Sequence, residues 1–294
     1  MELRDAALKA GVFVAVFLVV ATLTGLGSIP VPVDGNETAP LTVQSHQPEA
    51  ILADSSAEAG EIEPDATASE KTVVIDQSHN NSVAPGDISP LVTSLTAAGH
   101  DVQFYTDAMA DRQSLGETLS DADAFVVVAP NDQYNESERR RVEQFADDGG
   151  RVLLVNEPPR QAARGATAST PMTNLAGAFG LGFDGGYLYD LREYDTNHRA
   201  VYATPTSETA LTEGVDRVTA YTARPVVGGS SLLDTNESTA LSTTRRQARY
   251  SVLARQGNAV ALGDRSLLGP DYAYTADNEV LIGNLIEFLV SGSR

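Results

Sequence analysis

The stretch TVVIDQSHNNS, Thr72 to Ser82, decides how this chain is read. Four apolar or β-branched residues run into Asp76, and six polar residues follow, a histidine among them. A short apolar run bounded by turn residues is the signature of a strand buried on both faces. Open parallel sheets bind their ligands outside the carboxyl ends of such strands. The polar burst is therefore either a site or the turn chemistry that Asp, Ser and Asn supply by bonding their own backbone.

The residues downstream repeat the alternation of strand and helix. SPLVTSLTAAGH reads as a helix capped by Ser89, with Pro90 in its first turn and Gly99 as its stop. DVQFYT and DAFVVVAP read as strands, the second ending at Pro130. NESERRRVEQFADDGG carries a capping-box pattern, Asn135 with Glu138, an inward face of Val142, Phe145 and Ala146, and Gly149 at its end. Its charged face offers the i,i+4 pairs Glu136–Arg140 and Arg139–Glu143. RVLLVN is a fourth strand, TNLAGAFGLGF a helix ending at Gly180, SVLARQGNAVALGD a hairpin, and DNEVLIGNLIEFLV a last helix capped by Asp277 or Thr275. This order predicts an α/β domain over 71–294, a three-layer sandwich with a mainly parallel central sheet and an irregular β-rich insert at about 185–250.

Composition narrows the classes of function. The net charge is −20, from 40 acidic and 20 basic residues, and lysine occurs only at Lys9 and Lys71. An acidic, arginine-based surface suits concentrated salt, where the Debye length shrinks to about 3 Å and self-repulsion is screened. A halophilic source is expected. The same charge argues against nucleic acid as a partner, which needs a basic footprint. There is no cysteine, so disulfides, thiolate catalysis and cysteine-ligated zinc are excluded. No GxGxxG follows a strand, and no P-loop, HExxH or GxSxG occurs, so no cofactor is expected.

The amino-terminal segment has a different character. No charged residue falls between Ala10 and Val33, a run long enough to cross a hydrocarbon core of about 30 Å as a helix. Arg4 and Lys9 precede it, and no cation follows until Lys71, which places the amino terminus, 1–9, in the cytoplasm and the rest outside. Residues 34–70 carry nine acidic side chains without Lys or Arg and read as an extended, disordered tether. The expectation is a single-pass membrane protein with transmembrane anchor 10–33; the alternative is a cleaved signal, for which TGLGS offers small residues where a peptidase could cut. The sequons at Asn36, Asn80, Asn135 and Asn236 fit an extracytoplasmic domain.

The strand ends gather the polar candidates. Asp76, Ser78, His79 and Asn80 follow the first strand, Asn131 and Asp132 the third, Asn156 and Glu157 the fourth, and Asp264 and Arg265 the late strand AVALG. Asp277 and Asn278 open the final helix. One chemistry is a general acid–base pair of His79 with Asp76 or Glu157, with Ser78 as nucleophile. Another is a cation site, whose Asp, Asn and Glu oxygens suit Ca²⁺ or Mg²⁺ better than zinc. A third is a structural turn or non-catalytic rim.

The ordered set of a strand ending in D-x-S-H-N, then APNDQYNESERRRVEQFADDGGRVLLVNEP, NLAGAFGLGF and AVALGDRSLL…ADNEVLIGNLIEFL resembles the family called domain of unknown function 4350 (DUF4350). More distantly it is similar to the class I glutamine-amidotransferase-like fold, including the extracytoplasmic domains of gliding-type ABC transporter auxiliary proteins. The resemblance covers about 71–292 and implies a membrane-anchored domain in a transporter-associated or envelope complex. True amidotransferases carry a cysteine nucleophile in a sharp turn after the third strand. Here that strand runs into Ala129–Pro130–Asn131, so the resemblance implies the fold without the reaction. The expected function is a non-catalytic domain binding a ligand or protein partner at the cell surface. The alternatives are a hydrolase built on His79, and a cation- or glycan-binding module.

Overall fold

In the computed structural model the described residues are 60–64, 70–158 and 171–294. The expected anchor and most of the tether lie outside them. Among the described residues no helix is long and apolar enough to cross a membrane.

The parallel half is built from the predicted units. β1 (Thr72–Gln77) leads through α1 (Ser89–Ala97) to β2 (Asp101–Thr106). Two short helices, α2 (Asp107–Ala110) and α3 (Leu115–Ser120), precede β3 (Ala124–Val128), and α4 (Glu136–Asp147) connects it to β4 (Arg151–Val155). α3 owes its place to a complete Ser114–Glu117 capping box. In α4, Asn135 Oδ1 accepts the backbone N–H groups of Ser137 and Glu138, and Val142, Phe145 and Ala146 face inward as expected. Gly149 ends it at φ +98°, and a Cβ on Gly150 would lie 2.4 Å from the Phe145 ring.

The remaining chain adds α5 (Pro171–Ala178), the short strands β5 (Leu181–Phe183) and β6 (Leu188–Tyr189), then β7 (Ala200–Pro205) and β8 (Val218–Tyr221). β9 (Val226–Gly228), β10 (Ser230–Thr235) and β11 (Ala240–Leu241) precede the predicted hairpin of β12 (Ser251–Gln256) and β13 (Ala259–Leu262). α6 (Asn278–Val290) closes the domain.

One sheet of nine strands runs β2-β1-β3-β4-β13-β12-β10-β7-β8. Its first five strands pair in parallel. From β13 onward every pairing is antiparallel. The sheet is therefore mixed rather than mainly parallel. The reason is that β7, β8 and β10, from the region expected to form a separate insert, continue the central sheet.

Strand alternation divides the core. Val73, Ile75, Val126, Leu153 and Leu262 pack with Leu91 and Leu95 of α1 and Leu285 and Ile286 of α6. Val74, Phe125, Val127, Val152 and Ala261 pack on the other face with Phe145 of α4, Leu119 of α3 and Leu175 of α5. Period-two alternation in a sheet covered on both sides forces this arrangement.

Three local expectations change. Ile62, expected within the tether, is buried in the core with α6, because an apolar side chain in an acidic stretch gains by leaving water. Ser89 does not cap α1: a 3₁₀ turn, Pro85–Ile88, runs straight into the helix, and the Ser89 hydroxyl donates to Gly86 O at 3.0 Å. Asp277 stands at the amino end of α6 without capping it. Its carboxylate accepts the Asp216 and Arg217 N–H groups at 2.9 and 2.8 Å instead.

Candidate functional site

The carboxyl edge of the parallel strands carries two polar centres. The first grows from β1. Alternation sends Val74 and then Asp76 toward the α4 face, where Asp76 is fully buried. His79 turns back over it, with Nδ1 3.0 Å from Asp76 Oδ2 and 3.1 Å from Oδ1. The Tyr134 hydroxyl donates to Asp76 Oδ2 at 2.5 Å, and the Tyr134 ring stacks on the imidazole, centroids 3.7 Å apart and planes 14° apart. Ser78 contributes its N–H at 3.1 Å and its Oγ at 3.0 Å to Asp76 Oδ1. On the far side His79 Nε2 lies 3.5 Å from Glu138 Oε2, the carboxylate that also accepts the Asn135 N–H at 2.8 Å.

The electrostatics follow from this enclosure. Burial alone pushes the Asp76 carboxyl up, but His79, the Tyr134 hydroxyl and the Ser78 N–H more than offset it, so its pKa is lowered. Burial pushes His79 down, but Asp76 and Glu138 more than offset it, so its pKa is raised. Burial, with Asp76 beside it, drives the Tyr134 hydroxyl well above its ordinary range and keeps it a donor. A carboxylate at each ring nitrogen favours an imidazolium.

The loop is pinned by its own turn chemistry. His79 N–H donates to Asn81 Oδ1 at 3.1 Å, and Asn81 Nδ2 donates to Val128 O at 2.9 Å. Asn80 sits at φ +49°, a conformation Asn tolerates. Asn131 Nδ2 donates to Asn80 O at 2.7 Å and to Ser82 Oγ at 2.8 Å. The N–H groups of Asn131 and Asp132 both reach His79 O at 3.0 Å. The β1 and β3 loops thus fasten the switch point of the parallel half with their own atoms. This is not a triad: Ser78 Oγ lies on the Nδ1 side with Asp76, whereas a nucleophile belongs at Nε2, and Glu138 holds that position.

The second centre lies on the other face. Glu157 follows β4 with the register of Leu153 and Val155, and Asp264 follows β13 with that of Val260 and Leu262, all on the α6 side. The expected partnership of His79 with Glu157 is therefore not formed; Glu157 Oε1 accepts from Arg265 Nη2 at 3.0 Å. Arg265 Nη1 also donates to Asp87 Oδ2 at 3.0 Å and to Ser82 O at 2.8 Å, which ties this centre to the end of the DQSHNNS loop. Asp264 is completely buried, accepting the Tyr221 N–H at 2.8 Å and the Ser266 N–H and hydroxyl at 2.8 and 2.7 Å. Burial pushes its carboxyl up to about 7 despite those bonds, and Glu157 adds to the rise.

Beside Arg265 opens a cleft of about 580 Å³. Glu157, Asp87 and Arg265 form one wall; Tyr187, Arg199, Tyr221 and Tyr272 come from outside the parallel half. Tyr221 and Tyr272 stack at 5.0 Å and 14°, and the Arg199 guanidinium lies 4.7 Å over the Tyr187 ring. Thr222, also in the lining, holds φ +57°, a strained value for a β-branched residue. Asn278 does not reach this cleft by side chain; it is buried and exchanges hydrogen bonds with the Thr219 backbone at 3.0 and 2.9 Å.

The sequence did not single out Tyr134, nor the cleft residues Asp87, Tyr187, Arg199, Tyr221 and Tyr272. An isolated tyrosine carries no motif; only Glu138 had a signal, as a capping residue. On the charged face of α4 the Glu136–Arg140 pair forms, while Arg139 donates to Asn174 Oδ1 at 3.2 Å instead of joining Glu143. Among the described residues no group of three His, Asp or Glu side chains is placed to hold a metal ion.

Comparison with known proteins gives a family and a fold. The model of a family described as Domain of unknown function (DUF4350) matches residues 80–286. No curated protein matches. Among solved structures, the mmIFT52 N-terminal domain superposes with a TM-score of 0.61 at 11% identity, over 76% of this chain and 99% of that one. A thua-like protein from Parabacteroides merdae gives a TM-score of 0.47 at 14% identity, over 77% of this chain and 92% of that one. At 11% identity the likeness to the mmIFT52 domain is one of fold.

Proposed function

This chain belongs to the DUF4350 family, and we propose that it is a non-catalytic binding domain whose cleft beside Arg265 takes a small polar ligand. The observation that carries the reading is the contrast within the rim. The cleft stands open and is lined by aromatic, cationic and anionic side chains, the lining expected of a ligand site. The His79 centre is packed shut by Tyr134 and Glu138.

We further infer an amidotransferase-like domain that has lost its nucleophile. Ala129 follows β3 at φ +43°, the strained turn at which such enzymes present cysteine. The parallel order β2-β1-β3-β4 supports the same reading. With the uncharged run 10–33 and the acidic stretch after it, the domain is proposed to be held outside a membrane, as a component of a surface or transporter-associated assembly. A protein partner is the second reading. Leu191 and Tyr194 are 72% and 43% exposed on the segment that leads to Arg199 and β7.

The test is a thermal-shift screen of small polar metabolites against the full chain, solubilised in detergent at high salt. Wild type is compared with Tyr272→Ala and His79→Gln. A ligand at about a hundred times its Kd adds about 2.7 kcal/mol to stability. The expected result is a shift kept in the His79 variant and lost in the Tyr272 variant. The reverse pattern would return the function to DQSHNNS.

A further inference from the structure

We propose that the ligand of this cleft is a neutral polyhydroxylated molecule, a saccharide; this rests on the reading of the cleft as a ligand site. Asp87, Glu157 and Asp271 line the cleft together with Arg199 and Arg265. A simple anion meets three carboxylates there and approaches a protein of net charge −20. A simple cation meets two guanidinium groups. Arg265, moreover, is already committed to Asp87 and Glu157 at 3.0 Å each, so it has no unshared charge to offer an anion.

A hydroxyl group avoids this conflict because it both donates and accepts. It donates to a carboxylate and accepts from a guanidinium in the same cleft, without the desolvation cost of a full charge. The aromatic lining supplies the other half of the recognition. Tyr221 and Tyr272, stacked on each other, and Tyr187, covered on one side by Arg199, offer the cleft their remaining apolar surface and polar tips, suited to the C–H faces and hydroxyl edges of a sugar ring. Two further features point to a built site. Thr222 keeps a strained backbone next to Tyr221, and such strain collects at ligand sites. Buried Asp264 fixes the Tyr221 N–H and the Ser266 hydroxyl from below, so this wall is preorganised.

The experiment is saturation-transfer NMR followed by calorimetry on the full chain. The probes are neutral oligosaccharides, a uronic-acid oligosaccharide, and the zwitterion glycine betaine. The expected result is saturable binding of at least one neutral saccharide. Its affinity should fall at least about 10-fold in Tyr272→Ala, stay within about 2-fold in Tyr272→Phe, and change little between low and molar salt, where charge-based binding is screened. Binding of the uronate or the betaine alone, dependent on Tyr272, would overturn the saccharide and leave the cleft as a ligand site. If no probe binds and the metabolite screen also gives no Tyr272-dependent shift, both readings fall.

Discussion

The two polar centres share one sheet edge and have opposite fates. At the β1–β3 junction, where a parallel sheet ordinarily receives its ligand, the chain has filled the space with Tyr134 and bound His79 at both ring nitrogens. At the end of β4 and β13, the antiparallel half brings tyrosines and Arg199 beside the rim, and a cleft remains. The dense polar run sits in the closed centre, whereas of the residues named from the sequence only Glu157 and Arg265 line the open one. Concentration of reactive side chains is therefore a poor guide to which part of the rim stays open. Accessibility separates the two.

The largest expected effect tests the closure. His79→Ala removes one member of a buried charged network and leaves Asp76 with less compensation. Breaking such a pair costs about 3–5 kcal/mol. Urea unfolding of the full chain should show a loss in that range, with no change in which ligands bind the cleft. A loss below about 1 kcal/mol would mean that the first centre is not a latch and would weaken the contrast.

Titration sharpens it next. His79 is raised above its ordinary 6.5, so its contribution is fully present below 6.5 and is lost as pH rises through the folded value. Asp76 is lowered below 3.8, so its contribution is fully present above 3.8 and is lost as pH falls through the folded value. Both are complete between 3.8 and 6.5. Asp264, pushed up to about 7 by burial, favours the fold fully below 3.8, and that contribution disappears as pH rises through about 7. Stability should therefore decline as pH rises through neutrality, and Asp264→Asn should flatten that decline by about 1–2 kcal/mol between pH 6 and 8.5. An unchanged pH profile in this variant would remove Asp264 from the account.

The smallest effect concerns the support of the latch. Asn135→Ala removes the side chain that caps α4 and should cost about 1 kcal/mol by denaturant midpoint. A cost near that of His79→Ala would show that cap and latch act as one unit.

Much of this was legible in the chain. The strands β1 to β4, the Asn135–Glu138 box and the β12–β13 hairpin are local, and periodicity with turn chemistry reports them. Alternation also carried, unread, the fact that Asp76 and Glu157 leave the sheet on opposite faces. β10 escaped because SSLLDT is short, and the Gly228–Gly229 pair before it reads as a turn. β7 and β8 fall in the stretch read as β-rich, but their membership in the central sheet was not legible, since pairing across long loops leaves no local mark.

The acidic, cysteine-free character of the protein, its uncharged amino-terminal run and the alternating units of its parallel half can be read from the chain directly. These are properties of composition and of neighbours a few residues apart. The enclosure of His79, and the meeting of Tyr187, Tyr221 and Tyr272 with Glu157 and Arg265, came from packing. Those contacts join residues far apart in the chain. Burial, which selects between a turn residue and a site, is a property of the packed fold.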